Sequence, residues 1–71
     1  MSLKEARRIA KAARRHGYSS VTISDNKAAC LLHNPKMHPM AGHYVVAVTT
    51  AIGSAHYLWD KADIGNPQPA I

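Results

Sequence analysis

Apolar residues at the start of the chain recur at helical spacing. Leu3, Ala6, Ile9, Ala10 and Ala13 fall on one face when the chain turns by about 100° per residue. Lys4, Arg8, Lys11 and Arg15, flanked by Arg7 and Arg14, gather on the opposite face. Ser2 and Glu5 match a capping box, in which the serine hydroxyl accepts from a first-turn amide and the glutamate reaches back to the cap. Arg14, Arg15 and His16 stand where cations meet the negative end of the helix dipole, and Gly17 can take the left-handed conformation that ends a helix. The pattern predicts a helix over 2–16, anchored by Leu3 and Ile9 because its alanines bury little area.

Beyond Gly17 the period changes to two. In Tyr18 to Ser24, Val21 and Ile23 lie on one side and Ser20, Thr22 and Ser24 on the other, the signature of a half-buried strand. Asp25 and Asn26 tolerate positive φ and predict a two-residue hairpin turn pairing Ser24 with Lys27. That register sets Val21 opposite Cys30 and Ile23 opposite Ala28, with Leu32 on the same side, so Cys30 reads as a small core residue rather than a reactive thiol. A second hairpin is predicted from His43 to Ala51 and Ala55 to Trp59, with Gly53-Ser54 as a type II′ turn, Val48 beside Trp59 and Thr50 beside Tyr57. Val46, Val48, Ile52, Tyr57 and Trp59 then join Val21, Ile23, Cys30 and Leu32 beneath the helix.

The expected architecture is a single α+β domain over 1–71: one N-terminal helix packed on a four-stranded antiparallel sheet (18–59) made of two hairpins. Asp60 to Ile71 contains Gly65, Pro67 and Pro69, lacks periodicity and reads as a surface tail. One helix covers one side of a sheet. The other side, with Leu31, Val45, Ala47, Thr49 and Leu58, is expected to be an apolar homodimer or partner-protein face.

Composition narrows the function. A chain of 71 residues buries only roughly 60% of its unfolded surface, so a partner would add to a marginal core. Cys30 is the only cysteine, which excludes an intramolecular disulfide and fits a reducing compartment. No apolar run approaches the roughly 20 residues of a membrane span, and a cytoplasmic protein is expected. The formal charge is +5, and six of the nine basic residues stand in the first helix. An ordinary soluble helix intersperses acids among such cations. An acid-free stripe bears a repulsion of a few tenths of a kcal/mol for each like pair, which points to use as a binding surface. Lys4, Arg7, Arg8, Lys11, Arg14 and Arg15 are the candidate partner-binding residues.

Candidate chemistry is sparse. Cys30, His33, Met37, His38, Met40 and His43 collect soft ligands, but without the closely spaced pairs of a structural zinc site; no metal or cofactor is expected. The four acids are assigned to a cap, a turn and the tail, no Ser or Cys has a His partner by spacing, and no glycine-rich phosphate loop is present. His56 and Tyr57, adjacent in a strand, point to opposite faces. A non-enzyme is therefore expected. The basic ridge at 4, 8, 11 and 15 suits a phosphate backbone. Base-reading side chains and exposed aromatic platforms are missing, so any direct binding of DNA or RNA would be nonspecific.

The run Ser2-Leu-Lys-Glu-Ala-Arg-Arg-Ile-Ala-Lys-Ala-Ala, with His16-Gly17 and the strand after it, resembles the helix and next strand of one of the small type I-F anti-CRISPR families. The resemblance implies a phage or mobile-element protein that binds a CRISPR surveillance complex through a basic surface and obstructs target DNA in the host cytoplasm. It makes Arg7, Arg8, Lys11 and Arg14 the candidate contacts. The alternative is a nonspecific nucleic-acid-binding module.

Overall fold

A computed structural model describes residues 1–38 and 40–69. Its class is the α+β one expected, with an N-terminal helix against a four-stranded antiparallel sheet. The elements run α1 (Leu3–His16), β1 (Ser19–Asp25), α2 (Lys27–His33), β2 (Tyr44–Thr50), β3 (Gly53–Tyr57) and β4 (Gln68–Pro69), and the sheet order is β1-β2-β3-β4.

The ends of α1 follow from its caps. Ser2 Oγ accepts from the Glu5 N–H at 3.2 Å, and Gly17 adopts φ 102° while its N–H closes on the last turn. The reciprocal half of the capping box is absent, because the Glu5 carboxylate turns to Arg8 and to the Lys61 N–H instead. Ala6, Ile9, Ala10 and Ala13 are buried against Val46, Val48, Ala55 and Tyr57, with Val21 and Ile23 at the margin. Leu3 is only half-buried; the second anchor is Met1, whose side chain joins this core. Met1 is also tied to the flank of β2. Its ammonium donates to the Gly42 carbonyl at 2.9 Å and the Tyr44 carbonyl at 3.2 Å, and the Tyr44 N–H donates to the Met1 carbonyl at 3.0 Å.

The first predicted hairpin does not form. Asn26 caps a helix rather than turning a hairpin: its Oδ1 accepts from the Ala29 N–H at 3.0 Å. Lys-Ala-Ala-Cys-Leu-Leu contains good helix formers and no β-branched residue, so residues 27–33 coil into α2. Lys27 therefore does not pair with Ser24, nor Cys30 with Val21, nor Ala28 with Ile23; β1 pairs with β2 through Ile23↔Val46 and Asp25↔Tyr44. Leu32, expected in the core, is 73% exposed. Cys30 is buried as expected, but on the opposite side of the sheet from α1.

That opposite side corrects the proposed apolar interface. Cys30 packs with Val45 and Leu58, joined by Ala29, Met37 and Trp59. Val45 and Leu58 are thus inside the molecule, Leu31 and Ala47 are half-buried, and Thr49 alone of the five is exposed. The element predicted as a strand is the cover for this face. Trp59 belongs to this second cluster rather than to the space beneath α1.

The second hairpin forms with a different turn. Thr50 pairs with Gly53, so Ala51 and Ile52 are the turn, and Gly53 leaves it at φ 128°. The Thr50 hydroxyl fixes this turn by donating to the Gly53 carbonyl at 2.9 Å and accepting from the Ile52 N–H at 3.3 Å. Val48 consequently faces Ala55 rather than Trp59, and Val46 faces Tyr57, which was expected beside Thr50. The shift is even, so Val46, Val48 and Tyr57 keep their predicted face. Ile52, expected in the core, is 96% exposed at the tip.

Residues 60–69 are docked rather than loose. Ala62 and Ile64 pack on the main core, and the Tyr57 hydroxyl donates to the Ile64 carbonyl at 2.6 Å. Gln68 and Pro69 then pair with His56 and Ala55 as β4. Of the predicted tail, Ala70 and Ile71 lie outside the described residues.

Gly42 tests the Met1 contact. A Cβ at this position would stand 2.5 Å from the Met1 carbonyl oxygen and 2.7 Å from Ser2 Cα, both backbone atoms. Gly42→Ala is expected to destabilise the fold by about 1–3 kcal/mol through this overpacking. Leu32→Ser, on the exposed side of α2, is expected to change stability by less than about 0.5 kcal/mol. Urea unfolding followed by circular dichroism measures both.

Candidate basic interface on the first helix

Because α1 buries its small-residue face, all six predicted cations are carried outward. Lys4, Arg7, Arg8, Lys11, Arg14 and Arg15 are each exposed. They are not equivalent. Arg8 is paired with Glu5: its Nε donates to Glu5 Oε1 at 2.9 Å, and its Nη2 makes a second, shorter contact with the same oxygen. The hydrogen bond from Arg8, reinforced by the Lys61 N–H at 3.2 Å, holds the Glu5 carboxyl below its ordinary range, and Glu5 in turn raises the guanidinium of Arg8. The stripe is therefore not free of acid contact. Arg14 reaches over the sheet edge, its Nη2 donating to the Val21 carbonyl at 3.4 Å.

The side chains of Lys4, Arg7, Lys11 and Arg15 make no hydrogen bond or ion pair among the described residues. Lys11 and Arg15, with Arg8, Ala12 and His16, line a shallow basin of about 480 Å³ whose far wall is Ile64. No carboxylate lines it. The His16 ring is steadied by stacking on Tyr18, with centroids 4.6 Å apart and planes 24° from parallel. The basin thus offers the unpaired cations Lys11 and Arg15 beside a small apolar surface, while Glu5 partly neutralises Arg8 at its margin and Asp60 and Asp63 stand close enough to act on Arg8 and His16. Ile64 was missed by sequence reasoning, since an isolated apolar residue in an aperiodic segment gives no signal of where it docks.

The thiol, thioether and imidazole groups of 30–43 do not assemble into a centre. Cys30 points into the second cluster, His38 Nδ1 accepts from the Met40 N–H at 3.0 Å, and no three metal-ligating His, Cys, Asp or Glu side chains converge among the described residues. Pro39 lies outside those residues. His33 instead meets His56 edge to face, with centroids 5.8 Å apart and planes at 72°. His56 Nε2 is buried without a hydrogen-bond partner among the described residues. Burial, and secondarily the nearby His33, lowers the His56 pKa. Burial also raises the Cys30 thiol and pushes the Tyr57 phenol up to about 12.

A second concavity of about 530 Å³ lies between the β2–β3 turn and residues 65–69; apart from the Tyr18 phenol its lining carries no titratable group. No helix among the described residues is long and apolar enough to cross a membrane.

Comparison of the chain with protein-family models, curated proteins and solved structures finds no match.

The His56 site predicts a pH dependence. Its folded-state pKa lies below the ordinary value of 6.5, so the unfolded chain binds the proton more readily than the folded one. Stability from this group is complete above that value and is lost as the pH falls through it and through the lower folded pKa. Chemical denaturation between pH 8 and pH 5 should show the loss, and it should shrink in His56→Leu.

Proposed function

We propose that this chain is a non-enzymatic binding domain that lays the basic face of α1 on a polyanionic surface and acts there by occupancy. The observation that carries this reading is the set of exposed cations Lys4, Arg7, Lys11 and Arg15, whose side chains have no partner among the described residues, with Lys11 and Arg15 lining a shallow basin. Four such charges on one helix would neutralise several phosphates and release their counterions, giving an affinity that falls steeply with salt. The groups most able to do covalent chemistry support a binding role: Cys30 is buried with a raised pKa, and the Tyr57 hydroxyl is engaged with the Ile64 carbonyl.

The narrower form of the reading follows from the resemblance of Ser2 to Ala13 and the next strand to a type I anti-CRISPR family. In that form the protein is a small inhibitor that docks on a CRISPR surveillance complex and blocks target DNA. The second reading, a nonspecific nucleic-acid-binding module, rests on the same cations, because a basic ridge suits naked duplex as well as an acidic protein groove. Binding to duplex DNA and to a purified type I surveillance complex, compared across a salt series, separates them. Tight, salt-sensitive binding to naked duplex selects the module, and binding to the complex alone selects the inhibitor.

Under either reading, Lys11→Glu combined with Arg15→Glu should abolish binding while leaving the protein folded by circular dichroism, with the melt lowered only by the unfavourable charge placed in the last turn of α1. The single charge-neutralising changes should each lower the salt slope by about one. Undiminished binding by the doubly reversed variant refutes the helix face as the interface.

A further inference from the structure

Among the described residues the sheet ends at β1, and no strand pairs with its outer edge. The Asn26 N–H donates to the His43 carbonyl at 2.8 Å, while Tyr44, opposite Asp25, gives both its backbone groups to Met1. In an antiparallel ladder, hydrogen-bonded and non-hydrogen-bonded pairs alternate. Ser24 and Thr22 therefore turn their backbone groups toward β2, and Ile23 and Asp25 turn theirs outward. The Val21 carbonyl, within the irregular stretch between Ser19 and Thr22, accepts from Arg14 on the helix. From Thr22 to Asp25 the edge has no proline and no lysine, Asp25 is its one charge, and the ladder irregularity between Ser19 and Thr22 reaches only as far as Val21.

The edge is also charge-polarised. Its Val21 end carries the guanidinium of Arg14, and its other end carries Asp25, an exposed acid with no salt bridge among the described residues. An antiparallel copy of the same strand presents these two ends in reverse order.

We propose that β1 is a homodimer interface, in which a second copy of this chain pairs antiparallel about Ile23. Around that centre the two Ile23 residues exchange N–H to carbonyl bonds, and each Asp25 N–H donates to the Val21 carbonyl of the other copy, which retains a lone pair beside Arg14. Side chains of directly opposed residues stand on the same face, so each Asp25 carboxylate meets the Arg14 of the other copy. The two-fold axis runs perpendicular to the sheet, making one continuous eight-stranded sheet with both α1 helices on the same side. This goes beyond the polyanion reading and stands without it.

The test is oligomeric state by light scattering and sedimentation from low micromolar to near-millimolar concentration. The expected result is a dimer that weakens about tenfold in Asp25→Lys and in Arg14→Glu, and recovers in the variant carrying both exchanges. Circular dichroism of each variant, expected to match the parent, separates loss of pairing from loss of folding. A chain that stays monomeric throughout the range overturns the proposal, and leaves the edge to an extended peptide of another protein. A dimer indifferent to the single exchanges, or one not restored by the double exchange in folded protein, overturns it as well.

Discussion

The close seating of α1 on the sheet is the contact from which the rest of the molecule follows. Three alanines and Ile9 form the buried face, and alanine lets a helix axis approach a sheet closely while adding little apolar area of its own. Larger side chains must then come from outside the helix. Met1 supplies one from the N-terminal side, and Tyr57, Val46 and Val48 supply the others from beneath. With Ala6, Ile9, Ala10 and Ala13 directed inward, the cations are left to the solvent side.

The sheet has two faces and a chain of this size has few elements with which to cover them. The side away from α1 is closed by a single short helix and the segment after it, through Ala29, Cys30 and Met37, with Trp59 beyond β3 completing the cluster. This cover leaves two strand edges. At one, Pro69 removes a donor and β4 spans two of the described residues, Gln68–Pro69. At the other, β1 is seven residues of Ser, Val, Thr, Ile and Asp. The two margins of the sheet are therefore chemically different.

Much of this was legible in the sequence where local signals agreed. The helix at 2–16 was marked by period, by Ser2 and by Gly17, and its six cations were found by the same periodicity that found its core. Residues 27–33 were misread because Ala28, Cys30 and Leu32 alternate as a strand would, while Ala29, Cys30 and His33 also fit one face of a helix. A run this short cannot be decided by period. The absence of β-branched residues and the capping capacity of Asn26 were the better guides. The misplaced turn had a similar cause: Gly53 was read as the first turn residue, whereas it is the residue that leaves the turn. The contacts of Met1, Ile64 and Lys61 join positions distant in the chain, and nothing in their neighbourhoods announces their partners.

Glu5 joins two of these parts. Its carboxylate holds Arg8 within the basic face and also accepts from the Lys61 backbone in the segment that carries Ile64. An anion that takes Arg8 competes with Glu5 for the same guanidinium, and releasing Glu5 alters what holds residues 60–64 beside the helix. Any part of the affinity at Arg8 that depends on the Glu5–Lys61 bond is matched, by reciprocity, by an equal change in how firmly that bond is held. The acid that partly neutralises the stripe is also the joint through which its far wall is set.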